Sequence, residues 1–291
     1  DVVKGGDGDD QISGSNGGDK AFYGGAGDDL FENLDDATGK VTLVGGQGND
    51  TLRFHGNVSA LHVSGIETLE ITLKVDKDDF QQHFPIKASG EFLESFKHIL
   101  GDRHDPSVEA QIELTSSEFH WRDEHSSLSG DIYGTNHADE VDMSKSRMYW
   151  TITGGNGNDV LTAGVGAEFY AGSGDDKIIG GSGGDQINDG TGNDIIDGRG
   201  GKDTFYEQEG ANTFIFEAGS GADYLYGFDT TGNGKDKIDL SAVKSISNYS
   251  DLIAHHVDEK FGGLSIEFGE KDRVWLDGFS KEMLDSSMFI F

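Results

Sequence analysis

A nine-residue period dominates the sequence between Gly154 and Leu225. Glycine recurs at places two and four of each repeat, an acid or Asn recurs at place six, and a large apolar residue recurs at place eight. A second, less regular block with the same pattern occupies residues 1–53. A fixed period held over many repeats predicts a stacked array of small identical units, in which each unit buries its apolar face against its neighbours.

The glycine-rich part of the repeat predicts a tight turn, because glycine enters left-handed backbone conformations without a Cβ clash. The remaining three residues predict a short strand whose place-eight side chain points inward. Two repeats then complete one coil, so that residues eighteen apart lie on top of one another. The predicted inward residues of the main block are Leu161, Tyr170, Ile178, Ile187, Ile196, Phe205, Phe214 and Leu225.

Stacking at this period places acids next to one another, Asp176 beside Asp194 and Asp185 beside Asp203. Stacked strands lie ~4.8 Å apart. Two carboxylates at such a separation repel by roughly 3 kcal/mol at an effective dielectric constant near 20. A divalent cation between them turns this repulsion into attraction, and calcium prefers sites made only of oxygen ligands. The sequence therefore predicts several Ca²⁺ sites in the turns.

The GGxGxDxUx pattern resembles the hemolysin-type calcium-binding repeat of RTX (repeats-in-toxin) secreted proteins, and in particular the C-terminal β-roll region of type I secretion substrates. This resemblance implies an all-β fold, a right-handed parallel β-roll or β-solenoid, to which we expect a small α/β insert and a C-terminal cap to be added. Glu168 and Asn212 depart from Asp at place six. The resemblance implies calcium ligands from place-six Asp side chains and turn carbonyls, at Gly6, Gly8, Asp10, Asp19, Gly25, Gly27, Asp29, Gly46, Gly48, Asp50, Asp139, Gly155, Gly157, Asp159, Gly172, Gly174, Asp176, Gly181, Gly183, Asp185, Gly190, Gly192, Asp194, Asp203 and Asp223.

The composition narrows the classes of function. The formal net charge of −32 opposes binding to nucleic acid or to an anionic membrane and favours cations. Cysteine is absent, which excludes a disulfide framework, a thiol nucleophile and a Cys-based zinc site. No apolar run approaches the roughly 18 residues of a membrane span. The chain begins at Asp1 without a basic-then-apolar signal peptide, and we expect it to be the C-terminal region of a longer, type I secreted protein.

Four segments follow from these patterns. Residues 1–75 are expected to form the first repeat block with further solenoid rungs, residues 76–133 an inserted subdomain or bridge, residues 134–226 the main β-roll, and residues 227–291 the cap with a type I secretion signal. In the first block, Asp10 and Asp29 are expected to share an ion across one coil. The interruption at residues 33–44 predicts that Asp50 lacks such a partner.

Residues 76–133 differ from the rest, with both prolines and five of the ten histidines of the chain. Ser89 is expected to cap a helix with Phe92, Phe96, Ile99 and Leu100 on one face, and Gln111–Leu114 is expected to be a strand. A transition-metal site is one interpretation of the histidines. Their spacing does not match an i, i+4 helical pair, so polar surface is the interpretation that we favour.

The C-terminal segment is expected to close the open end of the coil, because unpaired strand edges of solenoids need capping. Ser250 is expected to cap a short helix that includes Leu252, Ile253 and Val257. The segments Leu264–Phe268 and Arg273–Leu276 are expected to form a hairpin. The acidic-then-apolar residues 285–291 resemble the terminal signal of type I secretion substrates.

Each repeat buries only one large side chain, which returns roughly 1.5–3 kcal/mol, whereas ordering costs roughly 1–2 kcal/mol per residue. Calcium must supply much of the difference. We therefore expect a secreted, non-enzymatic, calcium-binding module that folds on meeting extracellular calcium and supports export by the type I secretion apparatus. Two alternatives stay open. One is a calcium-dependent adhesin, surface-layer or polysaccharide-binding module with an acidic polysaccharide or a cell surface as partner, and the other is the non-catalytic tail of a secreted protease, lipase or epimerase.

Overall fold

The computed structural model describes residues 2–14, 20–32, 34, 40–54, 61–71, 86–88, 93, 98–100, 110–114, 118–120, 129–230, 234–260 and 262–291. The chain forms two compact units, the first made of residues 1–133 with 145–148 and the second of residues 134–144 with 149–291. Regular structure in the described residues is almost all β-strand. Within those residues, no helix has both the length and the apolar character needed to cross a membrane.

The first unit is built from parallel strands. Three sets pair in register, β1-β3-β5-β7, β2-β4-β6-β8-β10 and β9-β11-β13. Its strands are β1 (Val2–Asp7), β2 (Gln11–Ser13), β3 (Lys20–Ala26), β4 (Leu30–Glu32), β5 (Val41–Gln47), β6 (Thr51–Phe54), β7 (Leu61–Ser64), β8 (Thr68–Ile71), β9 (Ile86–Ala88), β10 (His98–Leu100), β11 (Ala110–Leu114), β12 (Glu118–His120) and β13 (Gly130–Tyr133).

The second unit contains two sheets. The front sheet has the order β15-β17-β19-β21-β23-β27-β26-β25, and the back sheet has the order β14-β16-β18-β20-β22-β24-β28. Its elements are β14 (Glu140–Asp142), β15 (Trp150–Asn156), β16 (Val160–Thr162), β17 (Ala167–Ser173), β18 (Lys177–Ile179), β19 (Gln186–Asn188), β20 (Ile195–Asp197), β21 (Thr204–Tyr206), β22 (Thr213–Ile215), β23 (Ala222–Tyr226), β24 (Lys237–Asp239), α1 (Tyr249–His255), β25 (Val257–Lys260), β26 (Gly263–Glu267), β27 (Arg273–Asp277), two 3₁₀ turns (Lys281–Met283, Ser286–Met288) and β28 (Phe289–Ile290).

Successive repeats alternate between the two sheets, and strands of one sheet pair in parallel eighteen residues apart, as with Lys177 and Ile195. The predicted all-β parallel solenoid is therefore confirmed. The core is a double row of place-eight side chains, each with at most 1% of its surface exposed: Leu161, Phe169, Ile178, Ile187, Ile196, Phe205, Phe214 and Leu225.

One predicted core residue is wrong. Phe169 is buried, whereas Tyr170 is 43% exposed on the outer face of the front sheet. The repeat at residues 163–170 is one residue short, and the missing residue falls in its turn. Because the strand keeps its register, with Phe169 opposite Ile187, Phe169 occupies place eight.

Two secondary-structure predictions in the first unit have different outcomes. The strand at Gln111–Leu114 is confirmed as part of β11. The helix that was expected to include Ile99 and Leu100 is wrong there, because both residues lie in β10, which pairs in parallel with β8. Ser89, Phe92 and Phe96 lie outside the described residues.

The C-terminal segment adds strands to both sheets. The predicted hairpin is confirmed as the antiparallel pair β26 and β27. The helix cap is Asn248 rather than Ser250, since the Asn248 side chain accepts a hydrogen bond from the Asp251 N–H. Val257 begins β25 instead of extending the helix. The last strand, β28, pairs in parallel with β24 and adds a final rung to the back sheet.

Candidate metal centres

The place-six carboxylates are stacked along the coil by a repeated hydrogen bond. The backbone N–H of one place-six residue donates to Oδ1 of the next, at 2.7 Å from Asp159 to Asp176 and at 2.7 Å from Asp176 to Asp194. The same bond joins Asp185 to Asp203 at 2.9 Å. The predicted stacking of acids at this period is therefore confirmed. Three ladders follow this rule: Asp139, Asp159, Asp176, Asp194, Asn212 and Asp236; Ala167, Asp185, Asp203 and Asp223; and Asp10, Asp29, Asp50 and Glu67.

The second carboxylate oxygen of most of these residues has no hydrogen-bond donor within reach. Leaving a buried acceptor unsatisfied costs on the order of 1–3 kcal/mol, and more for a charged group. A native structure keeps such atoms where an ion or water satisfies them. The buried, unsatisfied atoms are Oδ2 of Asp10, Asp29, Asp50, Asp159, Asp176, Asp194, Asp203 and Asp223.

Two of the predicted carboxylate ligands that the structure describes differ from this set. Asp185 Oδ2 accepts the Gly181 N–H at 2.9 Å, and its Oδ1 accepts the Ala167 N–H at 2.5 Å. Asp139 Oδ2 accepts the Thr135 N–H at 2.5 Å, and its Oδ1 accepts the Thr135 hydroxyl at 2.9 Å. Both carboxylates are satisfied by the chain itself, so neither carries the orphaned atom that marks the other turns.

Burial without a counter-charge shifts the acids away from their ordinary ionisation. Desolvation raises the pKa of Asp176 to about 7 and the pKa of Asp203 to about 7. Desolvation, increased by the neighbouring Asp203 and Asp272, raises the pKa of Asp223 to about 8. Near neutral pH the ionised carboxylates of these turns lack a compensating positive charge, which a bound cation would supply.

Glycine makes room for the orphaned oxygens. A Cβ at Gly154 would collide with Asp159 Oδ2, and a Cβ at Gly198 would collide with Asp203 Oδ2. The place-six carboxylate is thus directed at the first glycine of its own turn. The glycines at places two and four adopt positive φ at Gly6, Gly8, Gly25, Gly27, Gly46, Gly48, Gly155, Gly157, Gly172, Gly174, Gly190 and Gly192. Gly181 and Gly183 do not, and they lie in the turn that Asp185 itself closes.

These turns suit a hard cation with oxygen ligands. No three His, Asp or Glu side chains converge on one point anywhere in the part of the chain that the structure describes. A site here must therefore combine one or two carboxylate oxygens with backbone carbonyls, which is the ligand mixture that Ca²⁺ accepts and that transition metals do not prefer. The orphaned Oδ2 atoms and the glycine-lined space beside them fit calcium.

A second ladder, which was not predicted from the sequence, lies at place five. The side-chain Oδ1 of Asp28 accepts the Asn49 N–H at 2.8 Å, and Oδ1 of Asp175 accepts the Asn193 N–H at 2.8 Å. This ladder runs in the opposite sense to the place-six ladder, so adjacent turns are joined in both directions. The signal was present in the sequence, because place five is Asp or Asn in most complete repeats.

The ladders also extend beyond the recognisable repeats. Glu67 Oε2 accepts the Asp50 N–H at 3.0 Å, and Asp236 Oδ1 accepts the Asn212 N–H at 2.9 Å. The expectation that Asp50 lacks a partner is therefore wrong, because β5 keeps its register with β3 despite the interruption. The inserted residues lengthen the connection between the two strands without ending the ladder.

Glu168 is not a place-six residue. The shortened turn moves Ala167 into that place, and Glu168 lies at place seven, where it accepts the Tyr170 hydroxyl at 2.6 Å. Asn212 does occupy place six, and its amide donates to Asp189 Oδ2 at 3.1 Å. Asp19 and most of the acids and histidines between residues 101 and 128 lie outside the described residues.

Comparison with known proteins agrees with the geometry. The family model described as the RTX calcium-binding nonapeptide repeat (4 copies) matches residues 1–21, 30–55, 151–167, 170–205 and 179–214. The chain matched none of the curated proteins with which it was compared. Among solved structures, the extracellular lipase LipA from Serratia marcescens aligns with 18% identity and a TM-score of 0.30, over 100% of this chain and 38% of the lipase. A TM-score of 0.30 is too low to support any inference about this chain.

Proposed function

We propose that this chain, which the model of the RTX calcium-binding nonapeptide repeat matches, is a secreted, calcium-binding module that folds when it meets extracellular calcium and that supports type I export. One observation carries the proposal. In the described part of the chain, eight place-six carboxylates each hold a buried oxygen that no protein group satisfies, and all eight lie in glycine-rich turns of the coil. A cation in each of those turns would satisfy these oxygens and neutralise the carboxylates that carry them.

The proposed ligands are the orphaned carboxylates and the carbonyls of their turns. Asp159, Asp176 and Asp194 would serve one edge of the second unit, and Asp203 and Asp223 would serve the other edge. Asp10, Asp29 and Asp50 would serve the first unit. Asp139 and Asp185 are weaker candidates, since their own turns already satisfy them. Bound calcium would supply positive charge that cancels the repulsion along each ladder.

Linkage between binding and folding then controls the state of the protein. Extracellular calcium modules bind with Kd on the order of 10⁻⁴–10⁻³ M, and a ligand that binds only the folded state stabilises it in proportion to the logarithm of its concentration. In a low-calcium cytosol the carboxylates stay charged and the repeats stay unfolded. Outside the cell, calcium binds and the repeats fold, which retains the exported chain on the outer side.

The proposal does not include catalysis. RTX nonapeptide repeats are typically non-catalytic. The G-x-S-x-G pattern at Gly180–Gly184 coincides with the turn that Asp185 closes, where Gly181 donates to the carboxylate of that residue. The serine therefore belongs to a repeat turn.

The test is a calcium titration of chelator-stripped protein, followed by far-ultraviolet circular dichroism. We expect a cooperative gain of β-structure with calcium and a much smaller response to magnesium, which requires a stricter octahedral geometry. Glu270→Gln, which removes one exposed charge outside the repeats, serves as the control and should titrate like the parent protein. A chain that is fully folded without calcium and indifferent to it would refute the proposal.

A further inference from the structure

The two sheets of the second unit have different outer faces, although the same repeat builds both. On the back sheet, half of the twelve outward residues at places seven and nine of β14, β16, β18, β20, β22 and β24 are charged, and none is aromatic. The charged residues are Glu140, Asp142, Lys177, Asp197, Lys237 and Asp239. On the front sheet, the ten corresponding residues of β15, β17, β19, β21 and β23 include four tyrosines and one charged residue, Glu168.

The tyrosines form a row across the strands. Tyr170, Asn188, Tyr206 and Tyr226 are opposite one another in successive strands and point to the same outer face. The rings of Tyr206 and Tyr226 stack, with centroids 5.6 Å apart and planes 13° from parallel. The neighbouring row contains Gln186, Thr204, Tyr224 and Trp275. The two rows together present aromatic rings, amides and hydroxyls along the axis of the coil.

Their surroundings hold several of these rings in place. The Tyr170 hydroxyl donates to Glu168 at 2.6 Å, and Lys202 Nζ lies 4.8 Å from the centroid of the Tyr224 ring. A Cβ at Gly263 would collide with the indole of Trp275, so this glycine leaves the space into which the ring packs. Binding of a partner to such supported rings costs little side-chain entropy of the protein, because the rings are already ordered.

The apolar surface of the row is open to water. Tyr170 is 43% exposed, Tyr206 is 40% exposed and Tyr226 is 36% exposed. Isolated exposed tyrosines need no explanation, but a contiguous row that also presents polar groups is the composition of a binding surface. Tyrosine is favoured at such surfaces because its ring is apolar and its hydroxyl can form hydrogen bonds.

Charge determines which partner fits. The chain carries 54 acids against 22 bases, so a polyanion or a second copy of this chain is repelled. A basic partner would be drawn to the strongly acidic surface elsewhere and gains nothing from a face whose ten outward residues hold one carboxylate. A nearly neutral face of stacked rings, amides and hydroxyls complements a ligand that is itself neutral, has flat apolar faces and carries hydroxyls at its edges. A pyranose ring has all three properties.

We propose that the front sheet of the second unit binds an extended, neutral β-1,4-linked glycan along the axis of the coil. Tyr170 and Tyr206 are two strands apart, a distance of roughly 10 Å, and one sugar of such a glycan advances by about one strand spacing. Alternate sugars, which present the same face, would stack on Tyr170 and Tyr206. The sugar between them would lie beside Asn188 and Gln186, which supply hydrogen bonds to its hydroxyls.

This surface is distinct from the calcium-binding turns. Place-six carboxylates lie in the turns that precede the strands, whereas the tyrosine row lies on the outer face of the strands. Neutral glycan binding also differs from the bridging of acidic sugars by calcium that the sequence allowed as an alternative. Calcium enters here only because it is proposed to stabilise the folded unit.

The test is isothermal titration calorimetry, in which the full calcium-loaded chain is titrated with cellohexaose, mannohexaose (β-1,4-linked) and hexagalacturonate. We expect at least one neutral hexasaccharide to bind with Kd no weaker than about 1 mM and hexagalacturonate to bind more weakly. Tyr170→Ala and Tyr206→Ala should each weaken the neutral ligand about tenfold or more. Ile195→Ala, which removes a 45% exposed side chain from the back sheet, is the matched control and should leave affinity unchanged.

Three results would overturn this assignment. They are the absence of binding by both neutral hexasaccharides, equal affinity of the tyrosine variants and the Ile195→Ala control, and tyrosine-dependent self-association in light scattering. Each variant is also titrated with calcium by circular dichroism, and its midpoint should match that of the parent, which shows that lost binding is not lost folding. Failure of the calcium-folding proposal would appear in that titration, independently of the sugar measurement.

Discussion

At the scale of single residues, the place-six aspartate has two separable tasks. Oδ1 of Asp194 accepts the N–H of Asp176 and so joins successive coils, while its Oδ2 has no protein partner. Asp185 performs only the first kind of task, since Gly181 and Ala167 satisfy both of its oxygens. Substitutions that keep the shape of the side chain but remove its charge should therefore separate calcium binding from coil joining.

Asp176→Asn should raise the calcium concentration at the folding midpoint several-fold, because an amide is a weaker ligand than a carboxylate. It retains an oxygen for the Asp159 N–H, so the ladder persists. Asp185→Asn should behave differently and lower the free energy of unfolding in saturating calcium by about 1–3 kcal/mol, since its NH₂ would face the Gly181 N–H or the Ala167 N–H. Calcium titrations and urea unfolding of both variants distinguish these outcomes, and equal midpoints for Asp176→Asn and the parent would contradict the first.

The pair Phe169 and Tyr170 tests the corrected register of the short repeat. Phe169→Ala removes a side chain that is completely buried, and should cost about 3–5 kcal/mol of folding free energy in calcium. Tyr170→Ala removes a side chain that is 43% exposed and should cost less than about 1 kcal/mol. Urea unfolding at saturating calcium gives both values. A larger loss for Tyr170→Ala would restore the register expected from the sequence.

At the scale of elements, the last strand contributes to the fold, and it also lies in the segment that is proposed to be an export signal. β28 pairs with β24. Phe289 in β28 and Met288 in the preceding 3₁₀ turn are buried, whereas Phe291 is 39% exposed. Removal of residues 286–291 would therefore expose an edge strand and part of the core together. Loss of export by such a truncation would not by itself identify a signal.

Point variants separate the two roles of this segment. Phe289→Ala should lower the free energy of unfolding in calcium by about 2–4 kcal/mol, because a mostly buried ring is lost at the end of the back sheet. Phe291→Ala should leave that value within about 0.5 kcal/mol and should reduce type I export if the tail is read as a signal. Export is measured as the secreted fraction from cells with the cognate apparatus. Normal export of Phe291→Ala, together with normal export of the truncation, would remove the secretion part of the proposal.

At the scale of the whole molecule, repeated carboxylates make folding depend on both protons and calcium. Burial raises the pKa of Asp159 to about 6, of Asp176 to about 7 and of Asp223 to about 8. These values lie above the ordinary value of an aspartate in an unfolded chain, which is about 4. Between these limits the folded state binds more protons than the unfolded state, so metal-free stability falls as pH rises.

We therefore expect the calcium-free chain to gain β-structure when the pH is lowered from 8 to 5, through partial neutralisation of the ladders. Calcium and protons compete for the same oxygens, so the calcium concentration at the folding midpoint should rise as the pH falls. Circular dichroism at several pH values, with chelator and along a calcium series, measures both effects. A calcium-free chain that folds better at pH 8 than at pH 5 would contradict this expectation.

The repeat period by itself determined the parallel coil, the eighteen-residue stacking and the places of the acids, because these follow from a short local pattern applied many times. Local pattern could not show how the irregular repeats are absorbed. Only strand pairing, which depends on the neighbouring coils, placed Phe169 in the core and Tyr170 outside, and gave Asp50 a partner across the interruption. Tertiary structure also decided which carboxylates remain unsatisfied. It aligned tyrosines from different repeats into one row, since residues far apart in sequence meet only when successive coils stack.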